Sequence, residues 1–261
     1  MNEKNWSFTR KLVYKGMLFL FLSFMVGGLV KLARDNVAVV TSENVKYKNL
    51  PIYCVETDKK QISLTFDAAW GDEDLDDILA TLEEYDAKAT FFVTGDWAAR
   101  FPEAIKKIHK AGHDLGNHGD NHKHMSQLSK EENKKEIKGC HDKIKALTNH
   151  DMILFRAPYG DYNESLVETA KECNYYTIQW DVDSLDWKDY GEASIVKTVL
   201  EHKHLGNGSI ILLHNGATYT RNALPTLLKG LKEAGYEMVP VSKLIYKEQF
   251  EMNHEGRQVK K

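Results

Sequence analysis

Five side chains that could transfer protons or bind ions stand at equivalent points of the sequence. Asp67, His118, Arg156, Asp186 and His214 each lie at, near or just after the end of a predicted strand. In parallel β/α folds the carboxyl ends of the strands form one rim, and active sites are built there. Each residue alone would more often be structural. Five of them at one rim predict a catalytic site.

The segment 117–122 is the best candidate for a metal site. His118 and His122 are four residues apart, so their rings can converge on one ion across a turn. Neutral imidazole is a common ligand of zinc and similar divalent ions. A pair with this spacing is a weak signal by itself, but its place at the rim strengthens it. We expect the neighbouring His113 and His124 to be packing or surface residues.

Asp67 and His214 are the candidates for proton transfer. Asp67 closes an apolar strand and, beside a metal, could take a proton from water, while Arg156 could pair with it and keep it ionised. A helix cap and a rim salt bridge are the structural alternatives for these two residues. His214 is placed like a general acid, which an acidic neighbour such as Asp186 would hold as imidazolium. The structural alternative is a strand-end histidine bonded to backbone.

Two aromatic residues follow strands at the same rim. Trp187 and Tyr159 could form a wall for a sugar ring. Plain packing is the more common role of an aromatic residue beside a loop.

The elements that must position these residues alternate regularly. Predicted strands cover 62–67, 89–95, 113–118, 152–158, 176–182, 209–215 and 236–241, and amphipathic helices fill the intervals. Asp72 is predicted to cap the first helix, and Ser129 with Glu132 forms a capping box for another. Seven strand-then-helix units predict an α/β fold with a parallel sheet wrapped by helices, either open or closed into a barrel.

The amino terminus differs from the rest of the chain. Basic residues at 10, 11 and 15 precede the apolar run 17–30, which is shorter than the about 20 residues of a full span. Snorkelling of Lys31 would extend the run. We predict an uncleaved signal anchor, with a cleaved signal peptide as the alternative. The larger positive charge before the run predicts that the following part lies outside the cytoplasm.

Composition limits the partners and the architecture. A formal net charge of −3 gives no basic footprint for nucleic acid, and no protein partner can be inferred. Three widely spaced cysteines predict no disulfide framework. We expect four segments: a basic segment with the anchor at 1–35, a linker and lead-in segment at 36–60, the domain carrying the candidate residues at 61–250, and a flexible tail at 251–261.

The ordered set of candidate residues resembles the NodB-homology polysaccharide deacetylases, carbohydrate esterase family four. The resemblance covers roughly residues 52–246. It rests on Asp67, His118-x-x-x-His122, Arg156-x-Pro158-Tyr159, Asp183-x-x-Asp186-Trp187 and Leu212-Leu213-His214, in that order. Within the family, the stretches 65–71 and 181–187 look most similar to PdaB-like sporulation deacetylases.

The resemblance implies a distorted (β/α)7 barrel and metal-assisted removal of acetate from N-acetylated sugars, with peptidoglycan or a related extracytoplasmic glycan as substrate. It also implies a role for each matched residue. Asp67 would be the base, His118 and His122 the ligands of a divalent metal such as zinc, Arg156 the group that positions Asp67, the Tyr159 backbone N–H an oxyanion donor, His214 the acid, Asp186 its tuning partner, and Leu212 and Trp187 the lining of the acetate pocket.

Two positions depart from the family pattern. Ala68 stands where the family has a metal-binding aspartate, and Gly119 stands where a serine or threonine is expected. Catalytic zinc usually has three protein ligands, and here two remain. Either Asp72 or Asp120 supplies the third ligand, or metal binding is weak, or the fold binds a glycan without turning it over. An amidase acting on another cell-wall amide is a further alternative.

Overall fold

The computed structural model of the protein describes residues 49–261. The predicted anchor at 17–30 lies outside these residues. Within 49–261, no helix combines the length and the apolar character needed to cross a membrane.

Eleven strands are present in the described part of the chain. They are β1 Cys54–Val55, β2 Gln61–Ala68, β3 Thr90–Val93, β4 Asp114–Asn117, β5 Leu154–Phe155, β6 Tyr176–Thr177, β7 Val182–Asp183, β8 Ile210–His214, β9 Glu237–Met238, β10 Phe250–Met252 and β11 Arg257–Lys260. The helices between them are α1 Leu75–Glu84, α2 Gly95–Arg100, α3 Pro102–Lys110, α4 Lys130–Thr148, α5 Glu164–Glu172, α6 Glu192–Leu200, α7 Thr220–Glu233 and α8 Val241–Leu244. Single 3₁₀ turns occur at Met125–Gln127, Pro158–Gly160 and Asp186–Lys188.

Seven parallel strands form the central sheet in the order β6-β5-β4-β3-β2-β8-β7. The sheet curves into a half-barrel, so the expected α/β fold of the distorted (β/α)7 type is confirmed. The lead-in segment lies between the open edges. Ile52 bridges to Ile178 on one side, and Cys54 bridges to Ser209 on the other. Backbone groups at the edges of the sheet therefore find partners.

Two predicted strands differ from the structure. The stretch 176–182 is not one strand but two, because β6 pairs with β5 whereas β7 pairs with β8 at the opposite end of the sheet. The chain crosses between the two edges at 178–181. The predicted last strand, 236–241, shrinks to β9, which pairs only with the start of β2. It ends where Pro240, which has no N–H to donate, precedes α8.

The carboxyl-terminal residues 251–261, expected to be a flexible tail, lie in a paired hairpin. β10 and β11 are antiparallel, and β11 also pairs in parallel with β1. The buried Gln258 side chain both accepts from the backbone N–H of Tyr246 and donates to its carbonyl. These bonds fix a segment whose lysine-rich composition gave no sign of a strand.

The helices pack on the sheet through the apolar faces that the sequence predicted. In α1 the buried residues are Leu75, Ile78 and Leu82, at helical spacing. The Ser129–Glu132 capping box opens α4 as predicted. The predicted Asp72 cap is wrong. Asp74 occupies the N-cap position, and its carboxylate accepts instead from the Gly216 backbone N–H at 2.7 Å. The Asp74 side chain therefore joins this loop to the loop that carries Gly216 and does not cap the helix.

Candidate active site

A cavity of about 500 Å³ opens at the carboxyl ends of the central strands. Seven of the nine predicted site residues line it: Asp67, His118, His122, Tyr159, Trp187, Leu212 and His214. Arg156 and Asp186 are fully buried behind the wall, each bonded to a lining residue. The structure therefore brings together residues from five separate parts of the chain. Ala69, Trp70, Gly160, Trp180 and Asp183 complete the lining.

Asp67 is held by Arg156 at the end of β2. The guanidinium Nη1 donates to Asp67 Oδ1 at 2.6 Å and to Thr65 Oγ1 at 2.9 Å, and Nη2 donates to the Gln179 carbonyl at 3.0 Å. Thr65 and Asp67 share one strand face, so the alternation of β2 places both beside the arginine. Only Oδ1 is occupied by this ion pair, which leaves Oδ2 toward the cavity.

Several groups around Asp67 together favour its ionised form. Burial would raise the carboxyl pKa, but the charge and hydrogen bond of Arg156, with contributions from His118 and His214, together outweigh burial and leave the Asp67 pKa below its ordinary value. Aromatic rings confine the guanidinium, with Phe92 at 4.1 Å and Trp180 at 5.3 Å from its carbon atom. Asp67 is therefore a firmly held carboxylate that is ionised at neutral pH.

The two predicted metal ligands, His118 and His122, are neighbours, with ring centroids 5.0 Å apart. His118 Nδ1 donates to the Arg156 carbonyl at 2.9 Å, and its Nε2 lies 3.6 Å from Asp67 Oδ2. Burial lowers the pKa of His118, and burial with the nearby His118 lowers that of His122 to about 4. Both rings are therefore neutral at pH 7, which is the form that binds metals.

The loop that carries these histidines is fixed by a side chain the sequence reading missed. Asn117 accepts from the Gly119 N–H at 2.9 Å and donates to the Ile137 carbonyl and the Tyr175 hydroxyl. An asparagine that ends a buried strand directly before the histidine was the available signal. Gly119 has a φ of 76°, a left-handed backbone conformation that glycine adopts readily and that a serine or threonine would disfavour.

The site does not fit a metal centre with three protein ligands. Ala68 is fully buried and has no donor atom, and Asp72 does not line the cavity. Asp120 points toward α4, where its Oδ1 accepts from Lys143 at 2.6 Å. Within residues 49–261, no cluster of three or more histidine, cysteine, aspartate or glutamate side chains is arranged to hold a metal ion. Neither Asp72 nor Asp120 lines the cavity beside His118 and His122, so the structure offers no support for either as the third ligand.

His214 and Asp186 form the second polar pair. Asp186 Oδ1 accepts from His214 Nδ1 at 2.8 Å, and Oδ2 accepts from the His214 backbone N–H at 2.7 Å and from Thr220 Oγ1 at 2.6 Å. Burial would lower the His214 pKa, but the bonded carboxylate outweighs burial and raises it. Thr220, which begins α7, was not predicted. Its hydroxyl holds the carboxylate in position to orient His214.

The two residues predicted to form an aromatic wall, Tyr159 and Trp187, both line the cavity. Tyr159 has a left-handed backbone with a φ of 62° and stacks on His124, with ring centroids 4.1 Å apart. Trp187 follows Asp186 directly in the chain, and Lys188 Nζ lies 4.9 Å from the centroid of its ring. Leu212 is buried and lines the floor. Trp70, which stacks on His214, was missed because a single tryptophan in a loop carries no pattern.

Comparison with known proteins identifies the family. The profile of the polysaccharide deacetylases matches residues 55–178. A peptidoglycan-N-acetylglucosamine deacetylase of Bacillus cereus is 36% identical over 196 residues, which cover 73% of this chain and 91% of that protein. The uncharacterized protein YlxY of Bacillus subtilis is 31% identical over 75% of this chain, and the match spans 60% of YlxY.

A solved structure is also similar. It belongs to a CE4 family pseudoenzyme from Bacillus anthracis, with a TM-score of 0.72 and 34% identity over 75% of this chain and 69% of that one. A mutant of that pseudoenzyme with restored enzymatic activity matches with the same TM-score. The chain belongs to the polysaccharide deacetylase family, carbohydrate esterase family four. The predicted class, a polysaccharide N-deacetylase, is confirmed at the level of the family.

Proposed function

We propose that this chain hydrolyses N-acetyl groups of an N-acetylated cell-wall glycan, with peptidoglycan as the preferred substrate. The observation that carries the proposal is the pairing of an ionised carboxylate, Asp67, with a histidine of raised pKa, His214, in one cavity. The two are register partners on the neighbouring strands β2 and β8. Support for the substrate comes from relatives named peptidoglycan deacetylases.

The chemistry needs a base on one side of the amide and an acid on the other. Asp67 Oδ2 accepts a proton from water, whose oxygen forms a bond to the acetyl carbonyl carbon. Protonated His214 gives its proton to the amide nitrogen as the carbon–nitrogen bond breaks. Acetate and a free amino sugar result. Asp186 keeps the His214 ring oriented and charged, and Arg156 keeps Asp67 ionised.

Metal binding is the point at which this chain departs from the family pattern, because Ala68 stands in place of a metal-binding aspartate. Deacetylases of the family are generally metal-dependent. Two neutral imidazoles, His118 and His122, are the ligands available here, and Ala68 offers none. We therefore keep a second candidate function, binding of an N-acetylated glycan without turnover, which the alanine at position 68 favours. The similar protein from Bacillus anthracis is described as a pseudoenzyme of the same family, which supports this second candidate.

Acetate release separates the two functions. Full-length protein, purified in detergent, would be incubated with peptidoglycan and with chitooligosaccharides across a range of pH, with and without added zinc. We expect acetate from the wild type and release slower by about a hundredfold or more from Asp67→Asn, the control that keeps the size of the side chain. Glycan binding with no acetate under any of these conditions would reject the hydrolase and leave the binding function.

The location and the biological setting are parts of the same proposal. The basic residues before the apolar run 17–30 support a membrane anchor with the catalytic domain outside the cytoplasm. A role in sporulation rests on the resemblance of 65–71 and 181–187 to PdaB-like deacetylases. Protease added to intact cells should remove the domain if this orientation is right. A mature chain that starts near residue 36 and is free of the membrane would favour a cleaved signal peptide.

A further inference from the structure

Exposed aromatic side chains concentrate around the cavity. Among residues 49–261, the large hydrophobic side chains that are exposed are Trp70 (49%), Tyr159 (58%), Trp187 (49%) and Tyr190 (68%). Three of these four line the cavity, and Tyr190 does not. Leaving an indole half in water forgoes hydrophobic stabilisation, so a cluster of such residues at one opening marks a surface that a ligand covers.

Contacts of its ring and of the neighbouring backbone hold Trp70 next to His214. Its ring stacks on the His214 imidazole, with centroids 5.5 Å apart and an interplanar angle of 26°. Gly216 packs closely against Trp70, because a Cβ at position 216 would lie 3.3 Å from the Trp70 Cβ. The next residue, Gly71, is pinned through its carbonyl, which accepts from Trp97 Nε1 at 3.0 Å and from Asn215 Nδ2 at 2.6 Å.

Packing does not explain Trp70. The ring is not part of the buried hydrophobic core, and its exposed fraction is the same as that of Trp187. One face is turned to His214, and the exposed half of the residue is open to a ligand. Trp187 comes from the segment after β7, whereas Trp70 comes from the loop after β2, so the two rings reach the same cavity from different parts of the chain.

We propose that Trp70 forms a second sugar-binding position, at which a neighbouring sugar ring of an N-acetylated glycan stacks while the reacting N-acetyl group lies between Asp67 and His214. The C–H faces of a sugar ring are apolar and pack on an indole, and tryptophan loses little side-chain entropy in such contacts. The position makes the site selective for chains over single sugars. This inference rests on the proposed function in taking an N-acetylated glycan as the ligand.

Binding measured by calorimetry tests the position without requiring turnover. The probes are chitotetraose and N-acetylglucosamine, added to the full-length chain and to three variants. Trp70→Ala should weaken chitotetraose binding about tenfold, the scale of one lost aromatic contact, and leave N-acetylglucosamine binding within about twofold. Trp70→Phe should recover most of the loss. Tyr190→Ala, the matched control outside the cavity, should bind both probes like the wild type.

Several results would overturn the second position. They are unchanged chitotetraose affinity in Trp70→Ala, an equal loss for both probes, an equal loss in Tyr190→Ala, or a wild type that binds the tetramer no more tightly than the monomer. Thermal melts of each variant would show that the fold is intact. Failure of the proposed function has a different signature, because a protein that binds chitotetraose through Trp70 and releases no acetate would reject the hydrolase and retain this position.

Discussion

Replacing Ala68 by aspartate should add a third ligand to His118 and His122 and so strengthen the binding of a divalent metal. Ala68 ends β2 beside Asp67 and is fully buried, with none of its side-chain surface in water. A carboxylate buried there without a partner costs several kcal/mol, so the metal-free variant should be less stable than the parent. A zinc ion bound by His118, His122 and the new aspartate would be the missing partner of the buried carboxylate. Zinc binding would then offset the free-energy cost of burying that charge.

The magnitude follows from linkage between binding and folding. Zinc at a hundred times its dissociation constant stabilises the folded protein by about 2.7 kcal/mol. For a domain of this size each 1 kcal/mol moves Tm by about 2–4 °C, so zinc should raise the Tm of Ala68→Asp by roughly 5–11 °C. The parent chain should respond much less, because it offers two ligands.

Differential scanning calorimetry with and without zinc, together with elemental analysis, measures this effect. Ala68→Asn is the matched control, because the amide has the same size as the carboxylate and no charge. The double variant Ala68→Asp with His118→Ala should lose the zinc response. If Ala68→Asp holds zinc no better than the parent, position 68 is not the third ligand position and the account of the metal site is wrong.

Three further predictions concern the existing groups. Asp67→Asn should lower kcat/KM by on the order of a hundredfold or more while glycan affinity survives, as measured by acetate release and calorimetry. The pH profile of kcat/KM should be bell-shaped. Its acidic limb should lie below the ordinary aspartate pKa because Arg156 lowers that of Asp67, and its basic limb above the ordinary histidine pKa because Asp186 raises that of His214. His214→Ala should remove the basic limb, and an unchanged limb would assign it to another group. His118→Ala should abolish any residual bound metal, as elemental analysis would show, since two ligands cannot spare one.

The rim of the sheet and its two polar pairs, Asp67 with Arg156 and His214 with Asp186, could be predicted from the sequence. The rim and the pairs all follow from which residues stand at the ends of the strands. Asp67 and His214 lie at the carboxyl ends of adjacent parallel strands, and their partners Arg156 and Asp186 follow other strands of the same sheet. Apolar strands and amphipathic helices are local patterns, and the carboxyl ends of parallel strands must meet at one edge. The family resemblance added the role of each residue.

What could not be predicted depends on long-range partners. The split of 176–182 into β6 and β7 reflects which sheet edge each half meets, which hydrophobic periodicity does not encode. Asp120 was a reasonable candidate ligand from its place in the sequence. In the structure its carboxylate is bonded to Lys143 of α4, a partner that the sequence does not reveal. Hydrogen bonds from Asn117 and Thr220 that hold the catalytic groups join residues far apart in the chain. Single polar residues of this kind carry no sequence pattern.

Deacetylation of peptidoglycan is the central claim, and the loss of N-acetyl groups from the glycan itself tests it most directly. Purified peptidoglycan would be incubated with the full-length chain, digested to muropeptides and analysed by mass spectrometry, with released acetate measured in the same samples. The account predicts amino sugars with free amines, in amounts equal to the acetate released, and formation of both products slower by about a hundredfold or more with Asp67→Asn. Fully acetylated muropeptides after incubation with the wild type, at every pH tested and with zinc present, would contradict it.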